Sequence, residues 1–400
     1  MALMPVDQAR ARILAAVKPT PIENIPISLA LNCVLAKPLS AHRDHPPFPA
    51  SAMDGYAVLA SDVSSTPTTL AVTGTSAAGH AYKGKLKSGN AIRIFTGAPV
   101  PAGADAVVIQ ENTEVADNAV TILQSVRPQQ NIRRLGLDFS KGEVLLSANI
   151  RLNARDIGLA AAMNCDMISV RKKPLVAIIT TGDELVLPGE KPRPDQIISS
   201  NSNAIAAMAQ SFGADIVNFG IVKDNLKATE RAILKMAKAD VIITTGGASV
   251  GDHDFVQQAL KNAGVKIDFW KIAMRPGKPF MYGRKGKQHV MGLPGNPVSA
   301  LVCARLFLKP LLDALQGLPP EKLETVARLG SPLGANDNRQ DYIRARLVVA
   351  PDGTRTATPF TTQDSSMQRT FRDAQCLIIR ETHAPAAETG TQVSILNLDF

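Results

Sequence analysis

The 400-residue chain has room for more than one domain, at about one per 150 residues, and its 45% hydrophobic and 20% charged residues describe a globular protein with sizeable cores. The formal net charge of +9 points to acidic partners or substrates, but the basic residues are scattered and aromatics make up only 4%, which favours small anionic ligands over nucleic acid. No uninterrupted apolar run approaches the roughly 20 residues that a membrane-spanning helix needs, so no membrane role is expected.

In chain order, the opening MALMPVDQARARILAAV fits an amphipathic helix better than a signal peptide, and a cytoplasmic protein is expected. An extended segment follows to about Pro38. His42 and His45 fall in the proline-rich AHRDHPPFP with no third ligand nearby, which reads as loop. From 51 to 138, β-rich runs at 69–73, 91–95, 106–109 and 120–123 alternate with Gly, Pro and Asn turns and predict a small all-β module. That module carries its own polar turns. SAMDGYAV places Asp54 before Gly55 in a tight turn, FTGAPV places Thr96 before Gly97 at a strand end, and Asp138 follows NIRRLGL. Plain turn chemistry accounts for each of these alone, as it does for Asp224 in VKDN.

A helix over 151–163 is expected to pack back on the N-terminal helix, giving a discontinuous linker domain of residues 1–44 and 140–173 around a β-rich domain of 45–139. Pro174 then opens an α/β domain, 174–322, with helices over 203–212, 226–239 and 255–262 and a mostly parallel sheet. Two of its strands have the same ending. PLVAIITTGDELV runs from apolar residues into Thr180, Thr181, Gly182, Asp183 and Glu184; ADVIITTGGASVGDHD runs into Thr244, Thr245, Gly246 and Gly247, then Ser249, Asp252 and Asp254. Unalternated β-branched runs suit strands covered on both faces. Their tips offer hydroxyls, close backbone approach and carboxylate oxygens for a hard cation. A third turn, GLPGNPVSALVCARLF, has Asn296 as a suitable N-cap, Pro297 as a first helical residue and Ser299 beside free N–H groups, an arrangement that favours anions. MRPGKPF adds Arg275 and Lys278 on a short stiff loop. Open α/β sheets bind ligands at such carboxyl ends. Beyond 323, strands near 342–349, 376–380 and 393–396 predict a small C-terminal β domain of residues 323–400. Cys33, Cys165, Cys303 and Cys376 form no CxxC pair, which indicates neither a zinc cage nor a disulfide framework.

Seven motifs in order, PPFPASAMDGYAV, FTGAPVPAGADAVV, TTGDEL, SNSN, TTGGASVGDHDF, RPGKPF and GLPGNPVSA, resemble the molybdopterin molybdenumtransferases of molybdenum-cofactor synthesis, the bacterial MoeA type related to the E domain of gephyrin. The resemblance runs from about Arg10 to Phe400. It implies an elongated homodimer of four-domain subunits that inserts molybdate into adenylylated molybdopterin, with Mg²⁺ as cofactor and AMP released. The site it implies lies between the α/β domain of one subunit and the β module of the other. Carried over by position, the functional acids and hydroxyl fall on Asp54, Thr96, Asp138, Glu184, Asp224 and Asp254, the cationic pair on Arg275 and Lys278, the proline-rich turn on Pro294 and Pro297, and the C-terminal serine on Ser365. Arg275 stands where the bacterial pattern often has Lys. The segment QDSSMQRT lacks the usual glycine before its serine, which leaves Ser366 as the alternative to Ser365.

These residue types suggest specific roles: Arg275, Ser249 and Ser299 on molybdate, Glu184 and Asp254 on Mg²⁺, Asp183 and Lys278 on the nucleotide-pterin. Two rivals stand beside this reading. A molybdopterin adenylyltransferase shares the α/β domain and its TTGG turn, and a non-catalytic gephyrin-like scaffold shares the wider fold; the extra domains disfavour the first and the retained acids the second. Contacts with an adenylyltransferase or with acceptor apoenzymes are left open.

Overall fold

The computed structural model describes residues 3–15, 17–246, 255–322 and 324–400. Its central element is a six-stranded sheet in the order Asp215–Val222, Leu175–Thr181, Val241–Thr245, Gln288–Leu293, Met281–Lys285, Lys266–Trp270. The first three pairings are parallel and the last two antiparallel. Alternate residues of one strand serve two cores. Val176 and Ile178 face the Asn201–Ser211 helix and the helical run that begins at Pro297, meeting Ile205, Met208, Leu306 and Phe307. Ala177 and Ile179 face the helices Leu226–Lys235 and Phe255–Asn262, meeting Ile233, Val256 and Leu260. Cover on both faces is why these strands read as continuous apolar runs.

The Leu226–Lys235 helix stops short of the expected residue 239. Gln288 donates its amide to the carbonyls of Met236 and Ala239, at 2.9 and 2.8 Å, and so satisfies two acceptors in the turn just past that end.

The linker region is built from two separated stretches. Ile22–Pro26 pairs with Met167–Arg171, Leu39–Ser40 pairs with Val144–Leu146, and Leu35, Leu146, Leu152, Met163 and Ile168 form its core. Its helix, Ala154–Ala162, starts from Asn153 and Asp156 in a reciprocal capping box. The N-terminal helix, Val6–Ala15, does not join this core as expected. Val6, Ala9 and Ile13 form a stripe at helical spacing that is buried with Leu311, Leu312 and Leu315 of the α/β domain. Arg12 pairs with Asp268, and the Met4 carbonyl accepts from Ala273 N–H at 2.7 Å, which fixes the helix to that domain.

The β module is a second six-stranded sheet, ordered Ala106–Ile109, Gly55–Val58, Asn90–Ile94, Thr68–Ser76, Ala119–Ile122, Thr113–Ala116. In the C-terminal domain, Gln340–Val349 pairs with both Arg355–Pro359 and Cys376–Arg380, which closes a five-stranded barrel with Glu324–Leu329 and Gln392–Asn397. No helix among the described residues is long and apolar enough to cross a membrane.

Candidate active site

The parallel strands deliver their tips to one edge. Thr180 and Thr245 are register partners, and the Thr245 hydroxyl donates to the Thr180 hydroxyl at 2.9 Å. Gly246 follows with φ +85°, and a Cβ there would lie 2.2 Å from the Thr181 carbonyl oxygen, so the close approach of the two tips requires glycine. Glu184 folds back over Gly182, where a Cβ would stand 2.6 Å from its Oε1. Both strand tips and Glu184, with Ser199, Asn201, Asn296, Pro297 and Ser366, line a hollow of about 450 Å³. The hydroxyls of Thr181 and Ser199 are buried in its wall and have no hydrogen-bond partner among the described residues. A buried orphan hydroxyl costs about 1–3 kcal/mol, so two of them in one wall mark a surface shaped for a ligand.

A second hollow, of about 550 Å³, adjoins the first across Gly295 and Asn296. Arg275, Lys278, Pro294, Ser299, Arg339 and Ser365 line it. Its two turn cations differ in state. Arg275 donates Nε and Nη2 to the two carboxylate oxygens of Asp341 at 2.7 and 2.5 Å, Nη1 to Asp337 at 3.2 Å and Nη2 to Asn336 at 3.2 Å. Asp341 thereby pushes the guanidinium pKa still higher. Lys278 is exposed and has no ion-pair partner among the described residues. The expectation that Arg275 presents its fork to an oxyanion meets a fork already committed to carboxylates, whereas the Lys278 ammonium is free.

Asn296 precedes the helix as expected, with Pro297 in its first turn, but its side chain makes no cap. It donates instead to the Ser365 hydroxyl at 2.7 Å, and the Ser365 carbonyl accepts from Val298 N–H at 3.1 Å. The next serine faces the other hollow: Ser366 donates its N–H and hydroxyl to Asp364, whose carboxyl is held below its ordinary range mainly by that hydroxyl. Below both, buried Arg344 grips the Gln363 side chain and the Asp364 carbonyl. Arg339, Gln363 and Arg344 were absent from the sequence-derived site, and Asn296 was expected there only as a helix cap. Arg344 lies in the Gln340–Val349 strand and Arg339 in the bend just before it, and their role depends on a barrel that returns them to the α/β edge.

The remaining expected residues lie elsewhere. Asp54 accepts from the N–H and the hydroxyl of Thr96, both at 2.7 Å, and the N–H bond chiefly holds its carboxyl below the usual range. Asp138 is exposed in a loop where its N–H meets the His45 carbonyl at 2.9 Å, and the His45 ring stacks on Phe139. Asp54, Thr96 and Asp138 line neither hollow of their own chain. Asp183 accepts from Asp224 N–H at 3.2 Å, which brings these two acids together beside the first hollow's Glu184 turn. Ser249 and Asp254, with Gly247 and Asp252, lie outside the described residues.

Comparison with known proteins agrees with this architecture along the chain. The MoeA N-terminal region, comprising domains I and II, matches residues 4–164; the probable molybdopterin binding domain matches 177–314; and the MoeA C-terminal region, domain IV, matches 326–398. The chain is 34% identical over 400 residues to the molybdopterin molybdenumtransferase of Haemophilus influenzae, covering 98% of each. It is 32% identical over 403 residues to that of Bacillus subtilis, covering 98% of this chain and 94% of the relative. A crystal structure of the MoeA protein of Pyrococcus horikosii superposes with a TM-score of 0.84 at 28% identity, over 100% of both chains. With the fold, the order of its domains and these relatives in agreement, the chain belongs to the MoeA family of molybdopterin molybdenumtransferases, transferases of molybdenum cofactor biosynthesis.

Proposed function

We propose that the two adjoining hollows carry out the Mg²⁺-dependent insertion of molybdate into adenylylated molybdopterin with release of AMP, in a cytoplasmic homodimer. The observation that carries this reading is the division of labour across Gly295 and Asn296: a free cation with hydroxyl and amide donors on one side, a carboxylate with unpartnered hydroxyls on the other. Molybdate is a tetrahedral dianion, and Lys278, Ser299 and Asn296 offer it one charge and convergent donors. The adenylylated pterin takes the neighbouring hollow, where its phosphates reach Glu184.

The donor set suits Mg²⁺, which prefers oxygen ligands and keeps waters or substrate phosphates beside one or two carboxylates. Glu184 supplies a carboxylate and Thr181 and Ser199 supply hydroxyls, while no cluster of three or more His, Cys, Asp or Glu gathers among the described residues. Mg²⁺ held by these oxygens would supply neutralisation of phosphate charge. The chain's own part is to position and to stabilise charge: Lys278 holds the oxyanion, the Thr180 and Thr245 tips fix the hollow's wall, and the proline-flanked Asn296 turn separates the two substrates. Because Asp54, Thr96 and Asp138 line neither hollow in their own chain, they are assigned to the hollows of a second subunit.

The test supplies the purified protein with adenylylated molybdopterin, Mg²⁺ and molybdate and follows AMP and active cofactor. Glu184→Ala is expected to lower AMP release by at least about a hundredfold with an unchanged circular dichroism spectrum. Parent-like AMP release in that variant would remove Glu184 from the site, and turnover without any divalent cation would remove Mg²⁺.

A further inference from the structure

The turn that carries both cations is tied to a different domain. Met274 and Arg275 leave the α/β domain to pair in parallel with Gln340 and Asp341, at the start of the barrel's longest strand. The backbone link is extended by Gln340 N–H donating to the Ala273 carbonyl at 2.9 Å. On this short strand the side chains add a two-pronged ion pair, since Asp341 is 8% exposed and meets Arg275 through both carboxylate oxygens. Charge counting then separates the two cations. Arg275 and Arg339 together offset Asp341 and Asp337, so that cluster carries no net charge, whereas Lys278 three residues on brings a +1 with no ion-pair partner among the described residues into the same hollow.

The geometry points to Asp341 as a positioning residue for the oxyanion hollow: acting through Arg275, it holds the cationic turn against the barrel so that Lys278 meets molybdate. This rests on the function proposed above. It also gives a reason for arginine at position 275, because a guanidinium fork matches a carboxylate in two bonds and fixes direction as well as distance, where an ammonium makes a point contact.

The experiment measures molybdate binding by titration calorimetry on the full chain, and the molybdate dependence of AMP release, for Asp341→Asn, Arg275→Ala and the double variant. Loosening the turn displaces Lys278, so each single change is expected to weaken molybdate binding about tenfold, with KM for molybdate rising in step and kcat at saturating molybdate kept within about twofold. Residues that act through one another do not add, so the double variant is expected to match either single one. Parent-like binding in Asp341→Asn beside lost binding in Arg275→Ala would overturn the assignment, because Arg275 would then touch the oxyanion itself; so would losses that add in the double variant. Asp337→Asn, a change at a half-exposed carboxylate that leaves folding intact, is expected to weaken binding two- to threefold, about the share of one outer bond. Unchanged binding there counts against the clamp. A parent that binds no molybdate would take down both the clamp and the reading of the hollow, whereas a binding parent with indifferent variants would end the clamp alone.

Discussion

His289 opens the Val290–Leu293 end of its strand's buried stretch at 1% exposure, its ring 2.8 Å from the Tyr282 hydroxyl. Burial first, then the nearby Arg284 charge, pulls its pKa down to about 4. The same desolvation pushes Tyr282 up to about 12, so both side chains are neutral at pH 7 and the pair is a neutral hydrogen bond inside the sheet. The linkage has a definite sign. An unfolded chain binds a proton at this histidine below about pH 6.5, while the folded chain refuses it until about pH 4, so the stability is complete above pH 6.5 and is lost as pH falls between those values. A shift of that size corresponds to about 3 kcal/mol at pH 4. We predict that the denaturant-measured unfolding free energy falls less between pH 7 and pH 4.5 in His289→Gln than in the parent, by about 2–3 kcal/mol. Equal slopes in the two proteins would mean that the folded chain protonates His289 freely.

At the scale of elements, the N-terminal helix tests what packing contributes beyond propensity. Val6–Ala15 spans ten residues, too short to persist alone, and its burial rests on Val6, Ala9 and Ile13. Its ion pair with Asp268 is surface-exposed at Arg12 and contributes about 0–1 kcal/mol, so the apolar stripe decides the docking. Ile13→Ala is expected to destabilise the α/β domain by about 2–4 kcal/mol in urea unfolding, and a loss under about 1 kcal/mol would show that the site collapses onto the smaller side chain. This helix also marks where sequence stops informing. Its amphipathic pattern is plain in the residues, but the face it joins is not, because Leu311, Leu312 and Leu315 are some three hundred positions away and look like any buried stripe. The parallel strands were legible for the opposite reason: Val176–Ile179 and Val241–Ile243 are apolar and mostly β-branched without alternation, and only two-sided cover explains that. The antiparallel strands Met281–Lys285 and Lys266–Trp270 carry Gly, Lys and Arg among their apolar residues, and no clear period announces them. In the site, glycine-bearing turns could be read directly, while the Arg275–Asp341 pair spans 66 positions and two domains, which no local pattern encodes.

At the scale of the whole molecule, the β module leaves an unfinished surface. Beside Asp54, Thr96 and Asp138 in the chain lie Met53, Phe95 and Leu137, exposed at 44%, 38% and 50%. Apolar side chains displayed around carboxylates that line no hollow of their own chain suit a surface that another subunit covers. On the homodimer proposal, each complete site then takes Asp54 from one subunit and Glu184 from the other, and a mixing experiment follows from the symmetry. Asp54→Ala and Glu184→Ala each spoil both sites of their own homodimers. In a mixed dimer, one site collects both substitutions and the other collects neither. Random pairing of equal amounts makes half of the dimers mixed, each with one intact site of two, so AMP release is expected to return to about a quarter of the parent's. Co-refolding or co-expression of the two inactive variants, with size-exclusion chromatography to verify pairing, measures this. If Asp54 and Glu184 instead serve one site within one chain, every chain in the mixture stays defective and no activity returns.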